Sequence, residues 1–442
     1  MTRLPLALAL VVAVAGPAAA QRPKVKITDA RVGLPAGGGS TADRDAAGKA
    51  NPIVKRNVWA PVAVQVELQT EYEGGANLKV ETTDGDDLRT TLVVPLVATL
   101  KGRNPGERIE PQEFPYTAYA RLGDRIGDIT LTVVSDGKDG RVRDLSEPYR
   151  FIDAGRYVAG KDANAYVVLG LGSRLPTFDL PAEKPKDPNV PPPPGYRNGR
   201  VQTGVISNVR DLPDRWFGYA ACDLVVLGTG AAAPEFLDEL FDPDKSRPNA
   251  ARRDALLEWV RRGGKLVVSV GSAAPKLAQS PVFQDLLPLP VSREQPTRPA
   301  TEVPLRLVVG NAVPLAGKLA PRSGDFPLAN FTTATGRAAR TVLTPTDKPA
   351  EPLVVQSAFG LGKVTAVGFD LDRSPFAEFA YRAEFWDLLL REAGTAQASL
   401  PAAGPRTNVV NFNEPDREDE LAAGLRQTVD TFDGVPVISF GW

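Results

Sequence analysis

The stretch LLEWVRRGGKLVVSVG, residues 256–271, decides how the larger part of the chain folds. Leu256, Leu257 and Val260 fall on one face of a helix that Asn249 can cap, and Gly263 closes it. The run from Lys265 to Gly271 follows at once. An apolar run of that length suits a strand buried on both faces of a parallel sheet. Three more such runs flank it: Ala165–Gly170, Asp223–Gly228 and Lys363–Phe369. Ser374-Pro375 predicts the start of another helix, with Phe379, Ala383 and Trp386 at i, i+4 and i+7. Strands alternating with helices predict a doubly wound, flavodoxin-like α/β domain over residues 160–398. A Pro-rich insertion at 176–199 interrupts it, and residues 296–350 hold short β-like pieces rich in Pro and Thr. Gly360-Leu361-Gly362, between two apolar runs, reads as a hairpin turn.

Upstream the grammar has period 2. Val62–Leu68 alternates apolar and polar residues, and Leu78–Thr82, Thr90–Pro95, Tyr116–Arg121 and Ile129–Val134 repeat the pattern. Glu73-Gly74-Gly75, Asp84-Gly85 and Asp136-Gly137 supply turn signals between them. Residues 21–155 therefore read as an antiparallel β-sandwich, immunoglobulin-like in scale. The whole is a multidomain β plus α/β chain.

The ends carry addresses. Arg3, the apolar stretch Leu4–Ala15 and Ala18-Ala19-Ala20 make residues 1–20 a signal peptide, so the chain is expected to be exported to the periplasm or cell envelope. After a linker at 399–413, residues 414–434 read as an amphipathic helix with Leu421, Leu425, Val429 and Phe432 on one stripe. The apolar tail 435–442 (VPVISFGW) is expected to contact a membrane or lead into a longer apolar segment.

Composition excludes several chemistries. The 442 residues contain no His, which removes His-based triads, bases and metal ligands together. With 52 Lys+Arg against 53 Asp+Glu, nothing points to nucleic acid. One Cys forms no internal disulfide. Gly170-Leu171-Gly172 follows a strand, but Leu175 stands where the third glycine of a dinucleotide fingerprint belongs, so no nucleotide and no cofactor is expected. Cys222 opens a buried strand and reads as a small buried hydrophobe. Ser269 and Ser272 lack the G-x-S-x-G frame, and spacing singles out neither Lys265 nor Lys276. Asp370 and Asp372 form the best acidic pair, at a strand's carboxyl end where α/β sheets bind ligands. The stronger reading makes them structural, as caps of the helix opening at Ser374. Trp59 and Tyr72 are the sparse aromatic candidates for sugar stacking.

GYAACDLVVLG, LLEWVRRGGKLVVSVG, SPVFQDLLPLPVS and FGLGKVTAVGFDLDRSPF…FWDLLLR together resemble the class I glutamine amidotransferase-like superfamily over residues 160–395. More narrowly they are similar to its non-catalytic members in membrane-anchored bacterial envelope proteins. In true amidotransferases the strand after the Gly-Lys pair ends in G-x-C-x-G, with Cys on a strained elbow. Here Gly271 occupies the elbow position, and no His exists to complete the triad. The resemblance thus implies the fold without the activity: an envelope scaffold or binding protein, tethered at its C-terminus, with other envelope or membrane proteins as partners. The alternatives are a His-free hydrolase acting on glycans through Asp370 and Asp372, and a soluble carbohydrate-binding protein.

Overall fold

The structure is a computed structural model that describes residues 25–35, 52–55, 58–68, 75–83, 88–96, 112–122, 129–137, 141–151, 166–175, 201–230, 232, 234–242, 244, 249–307, 315–332 and 338–392. The expected signal peptide, Pro-rich insertion, linker, amphipathic helix and apolar tail all lie outside the described residues. Among the described residues no helix is long and apolar enough to cross a membrane.

The N-terminal part comprises β1 (Val25–Val32), β2 (Trp59–Leu68), β3 (Ala76–Thr83), β4 (Arg89–Leu96), β5 (Gln112–Arg121), β6 (Thr130–Ser135) and β7 (Tyr149–Arg150). They form two antiparallel sheets, ordered β1-β2-β5 and β4-β3-β6-β7. Alternation explains the layering: Val62, Val64 and Val66 from one sheet meet Leu78, Val80, Leu131 and Val133 from the other in one shared core. Each such side chain, fully buried, contributes about 1.5–3 kcal/mol. The turn signal Glu73-Gly74-Gly75 does not join a hairpin: β2 and β3 belong to different sheets.

The second part begins with β8 (Tyr166–Leu171), β9 (Val201–Ile206), β10 (Leu224–Leu227), α1 (Pro234–Leu240), α2 (Asn249–Arg261) and β11 (Lys265–Ser269). It continues through α3 (Ala274–Gln279) and α4 (Pro281–Leu286) into the short strands β12 (Thr297–Ala300), β13 (Val303–Leu307), β14 (Leu315–Leu319), β15 (Phe326–Ala329) and β16 (Arg340–Leu343). Strands β17 (Val354–Phe359) and β18 (Gly362–Val367) and helix α5 (Arg382–Glu392) complete it. A seven-stranded sheet has the order β16-β17-β18-β11-β10-β8-β9, in which β18, β11, β10, β8 and β9 run parallel and β16 and β17 antiparallel. Successive strand residues enter opposite cores: Val225, Leu227, Leu266 and Val268 pack beneath α1–α4, while Val226 and Val267 face the other side. That second side is covered by α5 together with side chains of β13, β14 and β15, so it is only partly helical.

Two local expectations are corrected. The side chain of Asn249 does not cap α2: it sits in the first turn, donating to Glu239 and accepting from Arg252. No long helix opens at Ser374-Pro375 either. Phe376–Glu378 forms one 3₁₀ turn, and α5 starts only at Arg382. The physical reason is burial: Phe376 and Phe379 are both buried against the sheet, with Phe376 meeting Phe369, Phe385 and Trp386, and a continuous helix from Ser374 is given up for that aromatic cluster.

The two parts share a seam. Leu34 and Ile53, from the connection between β1 and β2, are bound to each other by backbone hydrogen bonds of 2.9 and 2.7 Å and sit in the core of the second part. Val205 of the edge strand β9 donates to the Pro35 carbonyl at 3.1 Å. Lys55, 6% exposed, reaches Asp223 at 2.5 Å, and that carboxylate also accepts from Val167 N–H at 2.7 Å. The Tyr119 hydroxyl donates to Asp214 at 2.6 Å and accepts from the N–H groups of Asp214 and Arg215 at 2.9 and 3.1 Å. Burial first, then the Asp214 charge, pushes this hydroxyl well above its ordinary pKa, which keeps it a donor.

Tyr119→Phe keeps the ring against Phe217 but strands one carboxylate oxygen and two N–H groups. We expect a loss of about 1–3 kcal/mol in urea unfolding. A change under about 0.5 kcal/mol would show that the seam does not depend on this hydroxyl.

Candidate functional site

Parallel pairing carries four strand ends to one edge of the sheet. Gly172-Ser173 follows β8, Gly228-Thr229-Gly230 follows β10, Val270-Gly271-Ser272 follows β11, and Asp370–Arg373 lies beyond β18. All four strands are buried on both faces, so they end in register and their following loops converge. Small residues in three of those loops leave space, and the fourth loop puts two carboxylates into it.

Asp370 is 5% exposed and uses both oxygens. Its Oδ1 accepts from Ser272 N–H at 3.0 Å and from Ser272 Oγ at 3.3 Å; its Oδ2 accepts from Arg373 Nε at 2.8 Å. Asp372, 9% exposed, accepts through Oδ2 from Ser173 Oγ at 2.5 Å. Beneath them Ser269 ties the end of β11 to the segment after β18: its hydroxyl donates to Phe369 C=O at 3.2 Å and accepts from Leu371 N–H at 3.0 Å. Thr229 Oγ1 donates to Ser269 C=O at 2.5 Å. Each loop is thereby tied to its neighbour by side chain or backbone.

The glycines follow from the same crowding. Gly271 has φ +27°, and a Cβ there would lie 2.1 Å from Asp370 Oδ1 and 2.6 Å from its backbone N. A Cβ on Gly230 would lie 2.5 Å from Asp372 Oδ1 and 2.7 Å from Asp370 Cγ, so both carboxylates converge on one point. A Cβ on Gly228 would meet Ser173 Oγ at 2.2 Å. Any side chain at Gly271 therefore collides with a carboxylate already held there.

The expected acidic pair is thus brought together, but its role differs from a helix cap at Ser374. Asp370 instead satisfies Ser272 N–H, at the turn Gly271–Ala273 that leads into α3. Sequence reasoning missed Ser173 and Gly230. The available signal was that small residues follow three successive buried strands. Among the described residues, no group of three or more Cys, Asp and Glu could hold a metal ion.

The other candidates stand apart from this cluster. Cys222 is buried, and burial raises its thiol pKa far above the usual value, with Asp223 adding to the rise. Lys265 lies at the opposite end of β11, its pKa lowered mainly by burial. Lys276 pairs with Asp238 at 2.8 Å. Gly172 (φ +84°) makes the sharp turn after β8, where a Cβ would meet Gly228 C=O at 2.8 Å; Gly170 lies inside β8. Trp59 is 39% exposed and tilts against Phe217 with centroids 5.5 Å apart, placing it on the seam. Tyr72 lies outside the described residues. No protein-family model matches the chain, and no curated protein matches it.

Asp370→Ala should cost about 1–3 kcal/mol, since it leaves Ser272 N–H without its acceptor and removes the Arg373 pair, while Asp370→Asn keeps an acceptor and should cost less. Urea unfolding of the two variants checks the ranking; equal losses would contradict it. Cys222 should resist iodoacetamide in the folded protein at about pH 8, where a free thiol is partly ionised, and react once unfolded. Mass spectrometry reads the adduct, and rapid native labelling would refute the buried, protonated thiol.

Proposed function

We propose that this chain is an exported, envelope-associated scaffold or binding protein whose α/β part is a flavodoxin-like, amidotransferase-like domain with its catalytic centre closed. The observation that carries the reading is the Asp370 carboxylate lodged against Gly271, at the position where an amidotransferase-like elbow would present its nucleophile. Strand order supports it. Counted along the chain, the five parallel strands are arranged 2-1-3-4-5, the order of flavodoxin-like doubly wound sheets. In such sheets ligands enter at the point where the order reverses, here between β8 and β10. Ser173 and Gly228 stand at that point, and Asp372 lies against both. The absence of His removes the remaining partner of a Cys-based triad. An immunoglobulin-like sandwich, joined to the second part through Lys55 and Tyr119, suits a rigid binding body better than a moving lid.

The hydrolase reading has one observation in its favour, the convergence of Asp370 and Asp372 over Gly230. Glycosidic cleavage needs two carboxylates open to substrate and water. Here both are buried, and both oxygens of Asp370 already accept from the protein's own groups. The scaffold reading is therefore preferred.

The purified protein should release no ammonia from glutamine above the blank. Release abolished by Cys222→Ala or Ser272→Ala would overturn the closed-centre reading. Export predicts a mature N-terminus at Gln21 when the chain is produced with its own leader, read by intact-mass spectrometry; a secreted or membrane fraction that retained Met1 would contradict cleavage.

A further inference from the structure

The opposite edge of the seven-stranded sheet, where β11 and β18 begin, carries cations and exposed apolar side chains in one run of contacts. Helix α2 ends there and reaches to both sides. Arg262 lies over the Trp216 ring at 4.5 Å; Trp216 meets Phe217 at 5.7 Å, and Trp59 flanks Phe217 at 5.5 Å. On the other side Arg261 lies over the Phe359 ring at 5.2 Å, and its carbonyl accepts from Leu361 N–H at 2.7 Å. Leu361 stands at the tip of the β17–β18 hairpin and is 80% exposed, while Trp216 is 36% exposed. Lys363 continues the edge beside Lys265, its register partner, so both side chains share a face of the sheet.

The fold does not require this pattern. The hairpin needs Gly360, at φ +65°, but nothing in the turn needs a leucine at its tip. Arg261 and Arg262 complement the dipole of α2, a role that leaves Leu361 unaccounted for. The carboxylates facing these cations are shared: Glu258 between Arg262 at 2.7 Å and Arg261 at 3.9 Å, and Asp223, already paired with Lys55 at 2.5 Å, with Lys265. Among the described residues, the cations of this edge therefore outnumber the carboxylates facing them, on a chain whose net charge is −1. A stable protein interface has a fully buried apolar centre and buries about 800 Å² on each side. Here the exposed leucine and tryptophan are separated by two arginines. The headgroup layer of an anionic bilayer accepts that alternation, taking Trp and Leu into the interface and meeting Lys and Arg with phosphate. We infer that this edge docks on the surface of an anionic phospholipid bilayer, with Leu361 and Trp216 entering the headgroup layer and Arg261, Arg262, Lys265 and Lys363 meeting lipid phosphates. The inference rests on the envelope-associated reading, which brings such a surface within reach of the chain.

Co-sedimentation of the purified chain from Gln21 to Trp442 with phosphatidylglycerol or phosphatidylcholine vesicles tests it. Binding to phosphatidylglycerol is expected to be at least about tenfold tighter than to phosphatidylcholine, and weaker at about 1 M salt than at about 0.1 M. Arg261→Gln combined with Lys363→Gln should weaken it about 10- to 30-fold, at about fivefold per charge. Leu361→Ser should weaken it about threefold or more, since interfacial binding scales with buried apolar area. All three residues are exposed, so these variants keep the fold. Absence of binding, equal binding to both vesicles, or unchanged affinity in either variant would overturn the assignment. Soluble polyglutamate held as tightly as the vesicles would overturn it in favour of an acidic protein. Leader cleavage is read separately, so a failure here leaves the envelope address standing.

Discussion

A buried carboxylate at the end of a parallel strand organises the second part of this protein. Asp370 sits just past β18, yet its contacts reach back 98 residues to Ser272, where it satisfies the N–H group at the turn after β11. Burying a charge is unfavourable unless it is paired and hydrogen-bonded. Asp370 meets that condition with Ser272 on one oxygen and the half-exposed Arg373 on the other. Gly271 and Gly230 follow as consequences, because the space their side chains would need holds the two carboxylates. The same geometry fills part of the strand-end edge with the chain's own groups.

A second set of contacts forms the seam. The β-sheets of the first part do not simply precede the second part; Leu34 and Ile53 enter its core, and Pro35 extends hydrogen bonding along β9. Lys55 and Tyr119 each place a polar group where a carboxylate of the second part meets it. The aromatic row Trp59, Phe217 and Trp216, with Arg262 over Trp216 at 4.5 Å, continues the contact outward.

Much of this fold was legible from periodicity. Residues 256–271 form the helix and strand that their pattern implied, with Leu256 and Val260 buried and Gly263 at φ +115°. The Gly360 turn joins β17 to β18 as a hairpin, and the alternating stretches upstream form strands. Periodicity reports which face a residue occupies, but not which distant loop it meets. Ser173 and Asp372, 199 residues apart, share a hydrogen bond that no local pattern announces. At Ser374 the local rule for a helix start lost to the burial of Phe376 and Phe379, a tertiary effect invisible in spacing. Leu34 and Ile53 failed to stand out for the same reason. Their partners lie in another part of the chain.

The Asp370 carboxylate and a side chain at Gly271 compete for the same space. A double-mutant cycle on unfolding free energy, with Gly271→Ala, Asp370→Ala and the two combined, measures this directly. Backbone strain at φ +27° is common to both arms and cancels. The clash with the Asp370 backbone N persists in both arms, but removing the carboxylate contact at 2.1 Å should still make Gly271→Ala cheaper once Asp370 is truncated, a coupling above about 1 kcal/mol. Additivity within about 0.5 kcal/mol would mean that the carboxylate does not occupy the space a Gly271 side chain would need.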